Sequence, residues 1–256
     1  MRAMDPMKLR ELLAQVQAGQ ASVEQAVDAL KGLPFTDLGY AMVDHHRAVR
    51  QGVPEVVFGH GKTPAQIVGI AQELARTGQN VLITRLDAEK AALVKRDLPE
   101  LVYKELARTG TIEQAVIPEL GKGTVALMSA GTGDLAVAEE CAETLRMIGA
   151  KVERIYDVGV AGIHRLLYKR ETFEKSAVVI VVAGMEGALP SAVGGLVSVP
   201  VIAVPTSIGY GAAFGGIAAL CGMLTSCASG VTVCNIDNGF GAAFAAGRIL
   251  RSSGRY

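Results

Sequence analysis

Four short apolar runs in the second half of the chain each stop at small, polar or glycine residues. They are Val125–Met128 before Ser129-Ala-Gly-Thr-Gly-Asp134, Ala177–Val182 before Ala183-Gly-Met-Glu-Gly187, Val201–Val204 before Pro205-Thr-Ser207, and Val231–Cys234 before Asn235-Ile-Asp-Asn-Gly239. The runs are β-branched and do not alternate with polar residues, a pattern that suits parallel strands covered on both faces. Segments 135–148, 161–171, 189–197, 212–226 and 240–250 read as helices, and 152–156 reads as one more strand. The regular βα alternation predicts an α/β fold: a three-layer αβα doubly wound parallel sheet with right-handed crossovers. In such sheets ligands bind beyond the carboxyl ends of the strands, so the informative residues are expected in the loops just named.

The first half is patterned differently. Residues 7–32 read as two helices broken at Gly19, the second opened by the capping-box sequence Ser22-Val-Glu-Gln25. Strand-like stretches at 39–43, 55–58 and 80–84 then alternate with helical 64–76 and 87–97, and Ile117–Gly123 reads as a linker. The expected organisation is an N-terminal helical arm over 1–36, a small α/β domain over 37–119 and the larger sheet domain over 120–256.

Charge narrows the partners. The chain has 25 basic and 25 acidic residues, a balance that offers no electrostatic search for nucleic acid, so a small-molecule partner is expected. Cysteines 141, 221, 227 and 234 lack paired spacing and neighbouring histidines, which points to neither a zinc site nor a disulfide framework and fits a reducing cytoplasm. Met1–Arg10 lacks the apolar stretch of a secretory signal. From Gly187 through Ile236 there is no charged side chain, yet Pro190, Pro200, Pro205 and many glycines interrupt the stretch. A membrane span would not be broken in this way, so the segment is expected to be buried on both faces, partly by other subunits of a homo-oligomer.

Several residues in the loops can carry chemistry. Ser129-Ala130-Gly131-Thr132-Gly133-Asp134 leads from a strand into a helix; its glycines let the backbone approach an anion such as phosphate, while Asp134 alone has an ordinary alternative as a helix cap. His164 and Arg165 pair a proton carrier with a bidentate anion ligand, or simply decorate a helix end. Glu186 is the only acid between 176 and 235 and belongs either to an exposed loop tip or to a pocket. Cys141, Cys221 and Cys234 fall inside helices and a strand, where burial is expected. Cys227 lies instead at a helix-to-strand junction, Thr225-Ser-Cys-Ala-Ser-Gly230, where a structural thiol and a ligand-facing one are both open. In the small domain Thr63-Pro-Ala-Gln66 is a capping box, and adjacent His45 and His46 should point in different directions.

The loop before Asp134, the His164-Arg165 pair, Ala183-Gly184, the Val199–Pro205 run and the closing Asn-Ile-Asp-Asn-Gly-Phe-Gly helix together resemble the aminoimidazole ribonucleotide carboxylase/mutase family of purine synthesis over about 123–252. That family has serines where this chain has Gly131 and Gly133, and it does not account for Cys227. Those departures resemble the LarB family, the pyridinium-3,5-biscarboxylic acid mononucleotide synthases of nickel-pincer nucleotide biosynthesis. The likeness spans nearly the whole chain through Asp44–Arg50, Gly52–Val57, Gly61-Lys-Thr63, Ser129–Asp134, Ala183–Ser191, Ser226–Gly230 and Asn235–Gly241.

The resemblance implies carboxylation of the pyridinium ring of nicotinic acid adenine dinucleotide by CO2 and hydrolysis of its phosphoanhydride to release AMP. It implies a homo-oligomer, an octamer by likeness to the purine core, and help from a divalent metal, Mg2+, with Asp134 and Glu186 as candidate ligands. Cys227 becomes the candidate nucleophile, with Glu186 or His164 as base and Asp134 ordering substrate or metal. Ser129 to Gly133, Arg165, Gly184 and Ser207 become candidate substrate contacts. Two other readings are an aminoimidazole ribonucleotide carboxylase without a covalent step, and a noncatalytic nucleotide-binding regulatory protein in which His164, Glu186 and Cys227 need not converge.

Overall fold

A computed structural model describes residues 6–30 and 34–253, so residues 1–5 and 31–33 of the predicted arm lie outside the described residues. The chain forms two compact units, Met1–Val116 and Ile117–Tyr256. In the first unit, α1 (Pro6–Gln17) and α2 (Val23–Leu30) are separated at Gly19. The capping box closes as expected: Ser22 N donates to Gln25 Oε1 at 2.8 Å and Gln25 N to Ser22 Oγ at 3.1 Å.

The predicted strand at 39–43 is instead an antiparallel ribbon of β1 (Phe35–Asp37) and β2 (Met42–Asp44). The reason is local: Gly39 takes a φ of +80° and donates to Asp37 Oδ1 at 2.7 Å, forming a turn where the apolar pattern suggested continuity. After α3 (Arg47–Gln51), the strands β3 (Val56–Phe58) and β4 (Val81–Thr84) run parallel around α4 (Pro64–Arg76). Beyond α5 (Ala88–Asp97), β5 (Val102–Lys104) and β6 (Thr109–Ile112) complete a sheet of order β3-β4-β6-β5. Hydrophobic pattern did not reveal these last two strands, because β6 buries Thr109 and Thr111 and has glycine between them.

His45 and His46 do diverge. His45 is buried, with Nε2 3.0 Å from Glu73 Oε1 and 3.1 Å from Thr36 Oγ1, whereas His46 Nδ1 lies 3.2 Å from Arg50. Arg76 donates to both oxygens of Glu73, at 2.7 and 2.8 Å. Those bonds, aided by Thr36 and His45 against the cost of burial, hold the Glu73 carboxyl at about 2 instead of 4.5.

The second unit is built on β7 (Thr124–Ser129), β8 (Lys151–Ile155), β9 (Val178–Ala183), β10 (Val201–Pro205) and β11 (Val231–Val233), all parallel in the order β11-β10-β9-β7-β8. Alternate residues of β7 and β9 face opposite helical layers. Ala126, Met128, Val179 and Val181 pack with Leu166, Phe173, Leu189, Val193 and Met223, while Val125, Leu127, Val178 and Ile180 are equally buried on the other side. One side is covered by α6 (Leu135–Met147) with α11 (Gly239–Ser253). The other carries α7 (Ile163–Tyr168), α8 (Arg170–Glu174), α9 (Leu189–Gly194) and α10 (Ile217–Leu224). Burial on both faces is why these strands read as unbroken apolar runs.

Three predicted helices are shorter than expected, and α9 ends at Gly194 instead of 197. A 3-10 turn at Val160–Gly162 precedes α7, and α7 and α8 meet at Lys169. The segment 211–216 winds irregularly before α10, with Phe214 at φ +44° and Gly215 at +61°, so glycine-rich sequence that reads as helix forms a left-handed bend. The linker is packed: Leu120 N donates to Gly149 O at 2.7 Å, and a Cβ on Gly149 would lie 2.0 Å from Pro118 O.

Because the folded Glu73 carboxyl ionises at about 2 and the unfolded one near 4.5, its contribution is fully present above pH 4.5 and lost as pH falls through about 2. Urea unfolding at pH 7 and pH 3 should show a loss on the order of 2 kcal/mol that Glu73→Gln lacks. Equal pH dependence in the two proteins would assign the acid sensitivity elsewhere.

Candidate functional site

The strand order places a change of winding direction between β7 and β9, where neighbouring strands send their chains to opposite sides. The loops leaving these two strands, together with those after β8, β10 and β11, form one continuous edge. Ala130 N donates to Val182 O at 2.9 Å and Gly159 N to Ala130 O at 2.8 Å. Met185 N donates to Ile208 O at 2.9 Å, and Asp237 N to Pro205 O at 2.8 Å. Asp157, Met185 and Asp237 all adopt left-handed φ values, between +52° and +57°. Side-chain residues uncommonly accept that conformation, and three of the six that do so among the described residues lie along this edge.

At its centre is Asp134. The residue is 4% exposed; Oδ1 accepts from Thr206 Oγ1 at 2.7 Å, and Oδ2 accepts from Gly131 N at 2.9 Å. Gly184 N–H also donates to it. One carboxylate thus binds the loops after β7, β9 and β10. Its side chain makes no bond to the first amides of α6, so the alternative of a simple helix cap does not hold: it reaches back over the 3-10 turn Thr132–Asp134 instead. Burial pushes its carboxyl above the ordinary aspartate value, against the lowering by Thr206, Gly131 and Gly184, while nearby Asp237 raises it further.

The glycines make this approach feasible. A Cβ on Gly184 would lie 2.2 Å from Ile208 O and 2.7 Å from Thr206 Oγ1, and one on Gly159 would lie 2.7 Å from Ala130 O. Gly133 meets the Ile208 side chain, leaving it and Thr132 exposed at the rim. Ser129 is buried and its Oγ accepts from Asp157 N at 3.3 Å. The Asp157 carboxylate in turn grips Arg165 at 2.6 Å. Arg165 is therefore tied to the Ser129 loop, and adjacent His164 is exposed on α7. Ser207 is exposed, its amide donating to Asp237 Oδ1 at 2.8 Å.

Glu186 and Cys227 are placed otherwise. The Glu186 side chain is exposed in the single chain, not enclosed in a pocket, because its backbone is pressed against α10: a Cβ on Gly222 would lie 2.4 Å from Glu186 O. Cys227 is exposed as well. It lies on the α10-to-β11 connection, close to Gly230, whose carbonyl accepts from Val201 N at the beginning of β10. It therefore sits toward the amino ends of the strands, about 17 Å along the five-residue β10 from Thr206. Within one chain the structure brings Asp134, Gly184, Ser129 and Arg165 together and leaves Cys227 apart. Of the cysteines expected to be buried, Cys141 is; Cys221 is exposed because it faces outward from a helix covered on one side only, and Cys234 is half-buried just beyond β11. Burial pushes the thiols of Cys141 and Cys234 up. Thr206 and Asp157 were not singled out from sequence, since each gains its role only through a partner distant in the chain, Asp134 and Arg165.

Within one chain the described residues supply no metal site built from protein ligands alone. Among the described residues no group of three His, Cys, Asp or Glu converges. Asp134, moreover, is already taken up by hydroxyl and amide donors. No helix in those residues is long and apolar enough to cross a membrane.

Comparison with known proteins identifies families that the chain resembles. Residues 35–114 match the LarB/PurE-like N-terminal domain model, and 124–255 match AIR carboxylase. An uncharacterized protein of Methanocaldococcus jannaschii is 39% identical over 251 residues, 95% of this chain and 97% of that protein. The crystal structure of a Treponema denticola PurE2 variant is similar at 25% identity and a TM-score of 0.41, over 49% of this chain and 78% of that one.

Asp134→Ala would strand a hydroxyl and two amides, so thermal unfolding should report a loss of about 3 kcal/mol. Asp134→Asn, which keeps one acceptor oxygen, should lose less, and Gly184→Ala about 1–3 kcal/mol from overpacking. Wild-type stability in Asp134→Ala would show that the three loops do not depend on this carboxylate.

Proposed function

We propose that this chain, which belongs to the AIR carboxylase family and carries the LarB/PurE-like N-terminal domain, carboxylates the pyridinium ring of nicotinic acid adenine dinucleotide and hydrolyses its phosphoanhydride, yielding pyridinium-3,5-biscarboxylic acid mononucleotide and AMP. The observation that carries the reading is an exposed thiol at Cys227, in a stretch without charged residues, in a chain whose strand-to-helix loop after β7 leaves Thr132 and Gly133 exposed.

The chemistry requires a nucleophile. A pyridinium ring is electron-poor, and its C5 does not attack CO2. Addition of the Cys227 thiolate to C4 moves the ring electrons onto nitrogen, cancels its positive charge and leaves an enamine nucleophilic at C5. C5 then bonds to CO2. Removal of the C5 proton by a base, Glu186 or His164, restores the enamine, and the nitrogen lone pair expels the thiolate as the ring becomes aromatic again. Water separately cleaves the phosphoanhydride. Arg165, held by Asp157, suits a phosphate, and the amides of the Ser129–Gly133 loop suit the same group. Asp134 orders these loops and takes no part in proton transfer. No step is assigned to a divalent ion.

Because Cys227 and the Asp134 loops lie at opposite edges of one sheet, the reading requires a homo-oligomer in which Cys227 of one copy meets the loops of another. Supporting surface exists: Ile208, Tyr210, Phe214, Ile217 and Leu224 are 45–81% exposed within the uncharged segment. A reading as aminoimidazole ribonucleotide carboxylase leaves this thiol without a task.

Incubation with the dinucleotide and bicarbonate should give the biscarboxylated mononucleotide and AMP by mass analysis. Cys227→Ser should bind the dinucleotide but carboxylate it more than about tenfold slower, a barrier change above about 1.4 kcal/mol, whereas Cys221→Ser should remain active. A Cys227→Ser protein within that limit would exclude the covalent step.

Light scattering at micromolar concentration should give a multimer, an octamer on the likeness to the purine enzymes. A stable monomer would remove the shared site.

A further inference from the structure

We propose that Ser191 is a positioning residue for the Cys227 thiol, acting through Ser226; the proposal rests on the covalent reading above. Ser191 Oγ donates to Ser226 Oγ at 2.7 Å, a bond between residues 35 apart in sequence. The same Ser226 oxygen accepts from Ala228 N at 3.2 Å. Ser226 and Ala228 are the two chain neighbours of Cys227, so the hydroxyl closes a small turn across the cysteine, and Ser191 fastens that turn to α9.

Backbone bonds hold the entry to the turn, with Thr225 N donating to Cys221 O at 3.0 Å and Ser226 N to Met223 O at 3.3 Å. Thr225 Oγ1 donates to Cys221 O at 2.7 Å, which ends α10 on one side, and Gly230 at φ +85° releases the chain into β11 on the other. The end of α9 supports it by contact, since a Cβ on Gly194 would lie 2.9 Å from the Ala228 Cβ. No charged residue occurs between Gly187 and Ile236 to supply an ion pair, so a hydroxyl pair is the polar tether available. A serine serving only its own helix bonds water or the carbonyl one turn back. Ser191 instead bonds across to the loop that carries the nucleophile. Attack on a ring carbon tolerates little misplacement of the sulfur, so a looser turn should slow the chemical step while leaving dinucleotide binding at the opposite sheet edge unaffected.

The test compares full-length wild type, Ser191→Ala and Ser191→Thr. Hydrogen exchange read by mass spectrometry on a peptide spanning 225–231 should speed up about five- to tenfold in Ser191→Ala, the worth of one neutral hydrogen bond, with α11 peptides unchanged and Ser191→Thr close to wild type. With dinucleotide and bicarbonate, kcat should fall by a similar factor while KM stays within about twofold, the signature of a lost chemical-step interaction, and Ser191→Thr should recover it. Unchanged exchange in Ser191→Ala, or an unchanged kcat, overturns the proposal. A rise in KM equal to the fall in kcat/KM also overturns it, since that pattern belongs to binding. A wild-type protein that carboxylates nothing overturns the functional reading, and hydrogen exchange then decides separately whether Ser191 tethers the turn.

Discussion

A buried carboxylate with three donors organises the carboxyl edge of the sheet. Asp134 joins Thr206, Gly131 and Gly184, and so fixes the mutual position of loops that leave three different strands. The cost is visible in its raised carboxyl, for which burial is the largest cause. A charge in this position is tolerated because each neighbouring donor would otherwise be unsatisfied in the same dry place. The glycine at 184 belongs to the same constraint: with Ile208 O 2.2 Å from its would-be Cβ, any side chain would push the loops apart and break the bond to Thr206.

Around that fixed centre the edge is strained at Asp157, Met185 and Asp237, and each strained residue has a specific bond to offer. Asp157 takes up Arg165, Met185 N pairs with Ile208 O, and Asp237 receives the Ser207 amide. The strain is offset by these contacts, which leave Thr132, Gly133, His164 and Ser207 exposed at the rim.

The uncharged stretch from Gly187 to Ile236 has two fates in the folded chain. Val193 and the residues of β10 are buried, while Tyr210, Phe214 and Leu224 remain largely exposed. Intramolecular packing accounts for the first group. The second group is apolar surface with no charge to solvate it, the character of a face that meets another protein surface. Cys227 lies within this same segment and, unlike Asp134, is held by neutral groups alone.

The sequence by itself determined the alternating strands and helices of the second unit, because two-sided burial demands unbroken apolar runs and the loops between them demand glycine and small polar residues. It determined the capping boxes at Ser22 and Thr63, which are local, and the divergence of His45 and His46, which follows from side-chain direction. It did not reveal β5 and β6, whose buried threonines carry no apolar signal, nor the bend at 211–216, where glycine accepts helix and left-handed turn alike. The sequence pointed to Asp134, Glu186, His164 and Cys227 as candidates. Only the tertiary structure separated a buried brace from exposed groups and put Cys227 at the far edge, because hydrogen bonds such as Thr206 to Asp134, spanning 72 residues, are decided by how strands are ordered in the sheet, and that order leaves no mark on local pattern.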